Sequence, residues 1–410
     1  MNAILTIVAK NYVGLAQVLV DSIREFNKSD EIYIVIADEV EDVTAFERED
    51  YFVIPAAQLN IDDYESLAFK YNVTEFCTAV KPFAIDYIFK ERGTDRIIYF
   101  DPDIYLYQDV KVIFDKLDDH VVILTPHFLT PEIDYTGNVD DSAILFGGMY
   151  NLGFIALKRT EKVLYFVKWW EKRLHERCYD DKWDALYVDQ KWADYATIFL
   201  GEELLIERGL GHNIAYWNIH ERVFFEKNGD WMVRNRILPS GDHPLVFIHF
   251  SGFDPRNTKI NRHCKKLDLG KYPDWNPLLQ EYETACKGKF EAFLSFKYSY
   301  AQFDNGVPIV HFYRRIYRQM LGDGHHFAAM FSATGGFYAL LNKNGLILKG
   351  GQNIDKVNES NLPNFEGKLN KLHRILKVAR RVLGLNRYIL LLKFFGKYSR
   401  PENQTFLIER

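Results

Sequence analysis

The sequence predicts an α/β protein with a mixed, mainly parallel sheet flanked by helices, and three patterns support this fold class. Apolar runs rich in β-branched residues at 3–9 and 31–37 are separated by a helix-like stretch that extends to about residue 26. A strand, a helix and a strand at this spacing form a right-handed unit with two parallel strands. A helical pattern over 76–92 then leads into another apolar run at 96–100, which continues the alternation.

Composition narrows the class of protein. The chain has 410 residues, of which 48% are hydrophobic and 26% are charged, with a net charge of −5 and a pI near 6.2. This charge excludes a general polyanion binder, so we expect no nucleic-acid partner. The four cysteines are far apart and form no CxxC pair, which favours reduced thiols, a cytoplasmic location and no zinc site. The first residues predict a strand and not a signal peptide.

The chain divides into three parts by composition. We expect an α/β domain over 1–275, an aromatic-rich accessory region over 276–365, and a basic amphipathic segment over 366–410. Residues 353–365 are polar and linker-like. The last two parts together predict a mostly helical C-terminal extension.

The basic segment indicates an anionic surface as a partner. Residues 368–400 contain no acidic residue, and apolar residues recur among the basic ones at helical spacing. A basic amphipathic helix suits an anionic membrane surface. The alternative is a solvated helix that packs on its own domain or on a partner subunit. The oligomeric state is left open.

Two carboxylates follow the apolar run at 96–100. Asp101 and Asp103 are expected at the carboxyl edge of the sheet, which is where open α/β sheets bind ligands. Carboxylate oxygens suit Mg²⁺ or Mn²⁺, and these ions also bind diphosphates. His249 ends a predicted strand at 245–250 and is a candidate third ligand. The alternative is an ordinary turn, because Asp-Pro-Asp is also good turn chemistry.

Two further stretches are candidate site elements. Gly147 and Gly148 precede Asn151 and Gly153, and glycines let backbone approach a ligand closely, although a hairpin turn also explains this pattern. Residues 188–190 place a carboxylate and an amide at the opening of a predicted helix, which a charged helix start also explains.

In this order, the motifs resemble those of GT-A-fold glycosyltransferases, closest to glycosyltransferase family 8 and related bacterial polysaccharide enzymes, over about residues 1–275. AKNY at 9–12 resembles the first-strand loop that holds uracil, and DPD at 101–103 resembles the DxD metal motif. YNLGFIAL at 150–157 resembles the stretch that lines the donor sugar. VDQ at 188–190 resembles the pair beside the reacting carbon, and HFSG at 249–252 resembles the motif that completes the metal and diphosphate site.

The resemblance implies a GT-A (Rossmann-like) fold and a set of site residues. It implies a cation, Mn²⁺ or Mg²⁺, held by Asp101, Asp103 and His249. The implied catalytic residues are Asn151, Asp189 and Gln190. Nucleotide-sugar contacts are implied for Ala9, Asn11, Tyr12, Asp38, Lys81, Asp101, Gly153 and Gly252.

The implied activity is metal-dependent transfer of a hexose from a UDP-sugar to a saccharide or a lipid-linked oligosaccharide, with retention of configuration. The implied setting is lipopolysaccharide or capsule synthesis, in the cytoplasm or on the cytoplasmic face of the inner membrane. One departure concerns the diphosphate: the family's Lys-Pro after HFSG is replaced, and Arg256 or Lys259 is the candidate substitute. Asp254 is an additional carboxylate there, and it or Asp189 would be the base of an inverting alternative.

Two other function classes compete with this interpretation. A nucleotidyltransferase also combines such a sheet with metal carboxylates, but AKNYVG lacks the GxGxxG pattern of a phosphate-binding loop. The non-enzymatic alternative is a carbohydrate-binding or scaffold protein of a polysaccharide pathway with a degenerate site.

Overall fold

The computed structural model describes residues 1–349, 355 and 362–409, so most of the linker-like segment 353–365 lies outside the described residues. Two compact units are present: residues 1–62 with 74–298, and residues 63–73 with 299–410. The strands are β1 (Asn2–Val8), β2 (Glu31–Ile36), β3 (Phe52–Pro55), β4 (Arg96–Phe100), β5 (Ile104–Leu106), β6 (Val122–Leu124), β7 (Phe154–Lys158), β8 (Asp180–Asp181), β9 (Leu186–Tyr187), β10 (Leu204–Ile206), β11 (Arg222–Lys227), β12 (Asp230–Asn235), β13 (His243–Pro244), β14 (Phe247–His249), β15 (Phe253–Asp254) and β16 (Asn257–Asn261).

The α-helices alternate with these strands in the first unit and dominate the second. They are α1 (Val13–Phe26), α2 (Tyr64–Lys70), α3 (Val73–Ala79), α4 (Lys81–Glu91), α5 (Lys111–Phe114), α6 (Asp141–Gly147), α7 (Glu161–Arg177), α8 (Gln190–Ala193), α9 (Ala196–Leu200), α10 (Asn276–Cys286), α11 (Lys289–Phe293), α12 (His311–Gly322), α13 (Gly336–Lys343) and α14 (Phe365–Tyr398). No helix among the described residues is both long enough and apolar enough to cross a membrane.

The main sheet has seven strands in the order β10-β6-β7-β4-β1-β2-β3. β4, β1, β2 and β3 are parallel to one another, and β10 is parallel to β6. β7 is antiparallel to both of its neighbours, β4 and β6. The predicted fold class, a mixed and mainly parallel sheet with flanking helices and a helical C-terminal extension, is confirmed.

The core of the first unit forms because its strands are apolar on both faces, as a covered parallel sheet requires. One face of α1, including Val13, Leu19 and Ile23, packs against β1, β2 and β4. A second cluster joins the opposite side of α1 to α10 and to Phe250. Because α10 packs here, residues 276–298 belong to the first compact unit, whereas composition placed a boundary at 275. The three-part functional division stays a prediction.

The second unit has a separate core, which gathers aromatic residues of α2, α12 and α13 around Phe69. Arg314 on α12 is buried and donates hydrogen bonds to the carbonyl oxygens of Phe69 at 2.5 Å, Tyr71 at 2.6 Å and Tyr300 at 2.6 Å. These carbonyls include orphan acceptors at the end of α2, so the guanidinium ties this short helix to the rest of the unit.

Two predicted helices are interrupted. The predicted helix over 76–92 is two helices, α3 and α4, with Val80 between them. Pro82 lies in the first turn of α4, where its missing N–H costs little, but it cannot continue a preceding helix. The basic helix α14 is broken at Gly384, whose φ of 72° and ψ of 165° are not helical. Glycine reaches this conformation without the strain of a side chain.

The site-bearing edge of the sheet follows from strand register. Leu5 on β1 pairs with Tyr99 on β4, and Val8 pairs with Ile36 on β2. Because these strands are parallel, the turns that follow them lie at the same edge. β14 pairs antiparallel with β5 and places His249 opposite Ile104. The third candidate ligand is thereby brought to the two carboxylates.

Candidate active site

Asp101, Asp103 and His249 form a compact cluster at this edge. One ligand atom from each residue lies within 4.8 Å of the others. His249 Nε2 is 3.1 Å from Asp103 Oδ1 and 3.7 Å from Asp101 Oδ2. The histidine is buried, whereas the carboxylate side chains are 32% and 26% exposed, so the cluster opens toward solvent on the carboxylate side.

Asn151 determines the orientation of the His249 ring. Asn151 Oδ1 accepts a hydrogen bond from the backbone N–H of Gly153 at 3.2 Å, which identifies this atom as the oxygen. The same oxygen lies 3.1 Å from His249 Nδ1. An oxygen acceptor here requires the proton on Nδ1, so Nε2, which faces the two aspartates, is the nitrogen that a cation would bind in place of a proton. Metal-binding histidines are usually held in this way by their second ring nitrogen.

The cluster fits a divalent cation. Its donors are two carboxylates and one imidazole nitrogen, a set compatible with Mn²⁺ or Mg²⁺. Burial alone would raise the pKa of Asp103, but the adjacent His249 outweighs it and lowers the pKa. Burial alone would lower the pKa of His249, but Asp103 and Asp101 outweigh it and raise the pKa. The two aspartates therefore favour a positive charge at the position of His249 Nε2, and a divalent cation bound by all three side chains would supply such a charge.

A buried ion pair lies beside this cluster. Lys81 Nζ, at the start of α4, is 2.5 Å from Asp189 Oδ2, and the two residues are 2% and 3% exposed. Lys81 also donates to the carbonyl oxygen of Leu152 at 2.7 Å and lies 4.1 Å from the ring centroid of Tyr99. Burial raises the pKa of Asp189 to about 6, an effect that Lys81 opposes and Asp101 increases.

Gln190 is fixed by backbone groups at both ends of its amide. Its Oε1 accepts from the N–H of Leu152 at 3.2 Å, and its Nε2 donates to the carbonyl oxygen of Gly147 at 2.8 Å. Oε1 also accepts from Asn151 Nδ2 at 3.2 Å. Burial lowers the pKa of His127 to about 4, so the ring is neutral, and its Nε2 lies 3.4 Å from Gln190 Nε2. Asn151 therefore connects His249 to Gln190.

The antiparallel course of β7 explains why Asn151 and Gly153 reach this edge. Because β7 starts where β4 ends, the carbonyl oxygen of Gly153 accepts from the N–H of Asp101 at 2.7 Å. A Cβ at Gly153 would lie 2.4 Å from His249 Cε1, so only glycine allows this approach. Gly252 has a φ of 74°, and a Cβ there would lie 2.3 Å from His263 Cδ2.

The turn after β1 lies at the same edge. It contains the buried Ala9 and the partly exposed Asn11 and Tyr12. Asp38, which follows β2, is fully buried and lies 3.7 Å from Lys10 Nζ. The structure therefore brings the residues expected at the nucleoside to adjacent strand ends, although their roles stay predictions.

Asp254 and Arg256 are engaged with each other. Arg256 donates to Asp254 through Nε at 3.1 Å and Nη2 at 3.0 Å, and this pairing lowers the pKa of Asp254. Arg262 lies nearer the nucleoside turn: its backbone N–H donates to the carbonyl oxygen of Gly252 at 2.7 Å, and its Nη1 donates to Tyr12 Oη at 3.3 Å.

Three site residues were not identified from the sequence. Tyr99 Oη donates to Asp101 Oδ1 at 2.5 Å, and its position two residues before Asp101 on one strand face could have indicated this. Asn213 Nδ2 donates to Asn151 Oδ1 at 3.1 Å and to Thr125 Oγ1 at 2.7 Å. No local pattern marks Asn213 or Arg262, because their contacts are made across distant segments.

No known protein-family model matches the chain. The chain is similar to two uncharacterized proteins of Bacillus subtilis. It is 26% identical to YfnF over 261 residues, which cover 62% of this chain and 82% of YfnF. It is 24% identical to YfnD over 255 residues, which cover 60% of this chain and 76% of YfnD. Neither name states an activity.

Among solved structures, the chain aligns with the galactosyltransferase LgtC in complex with donor and acceptor sugar analogues. The alignment has 15% identity and a TM-score of 0.40, and it covers 72% of this chain and 97% of LgtC.

Proposed function

We propose that this protein is a metal-dependent glycosyltransferase that moves a hexose from a UDP-sugar to a saccharide acceptor. The observation that carries the proposal is the connection of two groups of side chains through Asn151. One group, Asp101, Asp103 and His249, suits a cation, and the other contains the buried Asp189 beside Gln190. A transferase of this kind needs both a cation for a diphosphate and polar groups at the reacting carbon.

These contacts suggest a separate role in the reaction for each side chain. Asp101, Asp103 and His249 would hold Mn²⁺ or Mg²⁺, which supplies Lewis-acid stabilisation of the negative charge on the departing diphosphate. Asn151 holds the Nδ1 side of His249, so that Nε2 is the nitrogen offered to the cation. The ionised carboxylate of Asp189 stabilises positive charge that develops at the anomeric carbon. The dipole of the Gln190 amide, whose oxygen is held by the N–H of Leu152 and by Asn151, adds to this stabilisation.

In the proposal, further residues next to the cation site bind the UDP-sugar donor. The turn of Ala9, Asn11 and Tyr12, together with Asp38, binds the nucleoside in the proposal. Gly153 and Gly252 border the sugar and the diphosphate in the proposal, and their lack of a side chain leaves room for the rings of His249 and His263. Asn151 also borders the sugar, but its amide is already bonded to other side chains, which supports a positioning role.

We also propose retention of the anomeric configuration. An inverting mechanism needs a general base on the acceptor side. Asp254 is a weak candidate because Arg256 occupies its carboxylate and lowers its pKa. Asp189, with a pKa near 6, remains the base of the inverting alternative, but Lys81 engages its Oδ2.

The proposed setting is cell-surface polysaccharide synthesis, such as lipopolysaccharide or capsule, with a saccharide or a lipid-linked oligosaccharide as acceptor. The mainly acidic chain with one basic, amphipathic segment at 368–400 supports a cytoplasmic protein that can lie on the inner membrane. The competing proposal is a non-catalytic carbohydrate-binding or scaffold protein.

The test is a thermal-shift panel of nucleotide sugars, each with and without Mn²⁺. A ligand at a hundredfold excess over its Kd stabilises the native state by about 2.7 kcal/mol, so a true donor is visible. We expect a shift with one UDP-sugar that requires Mn²⁺, and we expect it to vanish in Asp103→Ala. Asp230→Ala, which removes an exposed carboxylate of the β11–β12 hairpin, is the matched control and should behave as wild type.

Transfer activity completes this test. Asp103→Ala should lower kcat/KM at least about a thousandfold, because a catalytic cation supplies several kcal/mol. Wild-type turnover in that variant would refute the metal assignment. A folded protein that shifts with no nucleotide and hydrolyses no donor would favour the scaffold proposal.

A further inference from the structure

The helix α14 exposes an unusual amount of apolar surface. It spans 34 residues, and none of its residues is buried. Ile375 is 63% exposed, Val382 is 77% exposed and Leu390 is 65% exposed. Single exposed apolar residues are common on protein surfaces, but several close together mark an interaction site.

This helix also separates the charge of the protein. Residues 365–398 contain nine basic residues and one acidic residue, a net charge of +8. The remainder of the chain contains 42 basic and 55 acidic residues, a net charge of −13. A cationic element on an otherwise acidic protein is attracted to an anionic partner while the rest of the chain is repelled from it.

The helix is attached to the second unit at its C-terminal end and is not a loose tail. Glu402, just beyond α14, forms ion pairs with Arg315 at 3.7 Å and Arg318 at 3.3 Å on α12. The backbone N–H of Glu409 donates to Asn344 Oδ1 at 2.8 Å, and Ile408 packs against the core of the unit. Because α14 is attached in this way, a partner that binds α14 is linked to the folded second unit.

The two arms of α14, 365–383 and 385–398, have different surfaces. At 3.6 residues per turn, the apolar residues of the first arm occupy about half of its circumference. Arg374, Lys377 and Arg381 lie on the opposite half, Lys371 and Arg380 lie at the two margins, and Lys368 in the first turn lies on the apolar half. The second arm carries the run YILLLKFF at 388–395, which is apolar almost all round. Gly384 separates the two arms.

These features distinguish between two possible partners. A second copy of α14 would meet the apolar half but would bring another net charge of +8, with Glu366 as the sole acidic residue of the helix. Stable helix pairs normally complement charges along such margins. A bilayer with anionic headgroups supplies the opposite charge and an apolar interior together.

We propose that α14 docks the protein on an anionic lipid surface, with the margins of the first arm on the headgroups and the second arm inserted among the acyl chains near them. The length and charge of the arms suit a helix that lies in the interface. This proposal deepens the membrane setting of the proposed function and is measured without donor or acceptor. Its failure would remove that setting but leave the transfer reaction standing, and failure of the transfer reaction would leave lipid binding standing.

The test is sedimentation of the full-length protein with vesicles of phosphatidylglycerol and phosphatidylcholine, compared with vesicles of phosphatidylcholine alone. We expect binding to the mixed vesicles that weakens as salt rises, because anionic surfaces are screened. Lys371→Gln combined with Arg380→Gln should lower the partition coefficient about 30-fold, from about fivefold for each cation. Phe394→Ser should lower it about tenfold or more.

The matched control is Lys28→Gln combined with Lys287→Gln, which removes the same charge from exposed positions of the first unit. It should retain wild-type binding. Equal binding to both kinds of vesicle, or equal loss in the control, would overturn the assignment of the cations. No binding to either vesicle, with dimerisation in sedimentation velocity that Phe394→Ser abolishes, would assign α14 to a second copy and overturn the lipid proposal.

Discussion

Charged residues have opposite roles in two regions of this protein, the edge of the main sheet and the helix α14. At the sheet edge, Lys81 and Asp189 are buried and form an ion pair, and Lys81 also donates a hydrogen bond to the carbonyl oxygen of Leu152. On α14, nine basic residues lie on a helix with no buried residue. The first region depends on the position of individual charges, whereas the second depends on their number and on the apolar surface between them.

The difference follows from solvation. A buried charge loses its hydration and is tolerated only with a well-placed partner, so the loss of one member leaves an expensive isolated ion. An exposed lysine keeps its water, and its contribution to folding is close to zero. Substitutions of the same chemistry should therefore have very different effects in the two regions.

The largest expected effect is on stability. Lys81→Met leaves the buried carboxylate of Asp189 without its cation, and we expect a loss of about 3–5 kcal/mol in the free energy of unfolding. Lys377→Met makes the same chemical change on the exposed surface of α14 and should change this free energy by no more than about 0.5 kcal/mol. Urea denaturation of both variants measures the contrast.

A double variant sharpens this result. If the cost arises from the isolated carboxylate, Lys81→Met combined with Asp189→Asn should lose less stability than the sum of the two single variants. Strict additivity, or equal losses in Lys81→Met and Lys377→Met, would show that the pair is not the buried unit that its geometry indicates.

The sequence predicted which residues lie at the edge of the sheet, but few of the hydrogen bonds and ion pairs between them. The apolar runs before Asp38 and Asp101 are local patterns, and the register of parallel strands then brings these carboxylates to one edge. The contact of Lys81 with Asp189 joins residues 108 positions apart, and no local pattern encodes it. Neither the split between α3 and α4 nor the break at Gly384 was predicted.

Asn213 is the clearest example of what pattern analysis misses. It adopts a left-handed conformation with a φ of 48°, is 1% exposed, and donates to the amide oxygen that orients His249. A single asparagine within an aromatic stretch gives no periodic signal. Its importance depends on contacts with residues that the chain supplies elsewhere.

A smaller effect is expected on metal affinity when Asn213, which does not contact the cation site directly, is replaced. Asn213→Gly keeps the left-handed backbone without strain and removes only the amide, so Asn151 and His249 lose a fixed neighbour. We expect the Kd for Mn²⁺ to rise about fivefold, which is less than the roughly 10- to 100-fold effect of removing a direct partner of a ligand, because Asn213 acts on His249 through Asn151. Electron paramagnetic resonance of free Mn²⁺ measures it without any substrate.

Asn228→Gly is the matched control, since Asn228 is also left-handed, with a φ of 58°, but lies in the exposed β11–β12 turn. It should leave the Kd unchanged. Unchanged Mn²⁺ binding in Asn213→Gly would mean that Asn151 holds the histidine without this support, and equal losses in both variants would point to a general effect on folding.

The smallest expected effect is a shift in pH dependence, and it follows from the pKa of about 6 for Asp189. Under the proposed function the ionised carboxylate is the active form, so kcat/KM at saturating Mn²⁺ should fall as pH drops through about 6. Lys81 favours the ionised form, and Lys81→Met should therefore move this acidic limb to higher pH, whereas Lys81→Arg should leave it near the wild-type position. Lys377→Met, which changes an unburied charge, should not move it. A limb that is unmoved in Lys81→Met would assign the titration to a group other than Asp189, and the ion pair would then be a structural support for Gln190 and not part of the reaction.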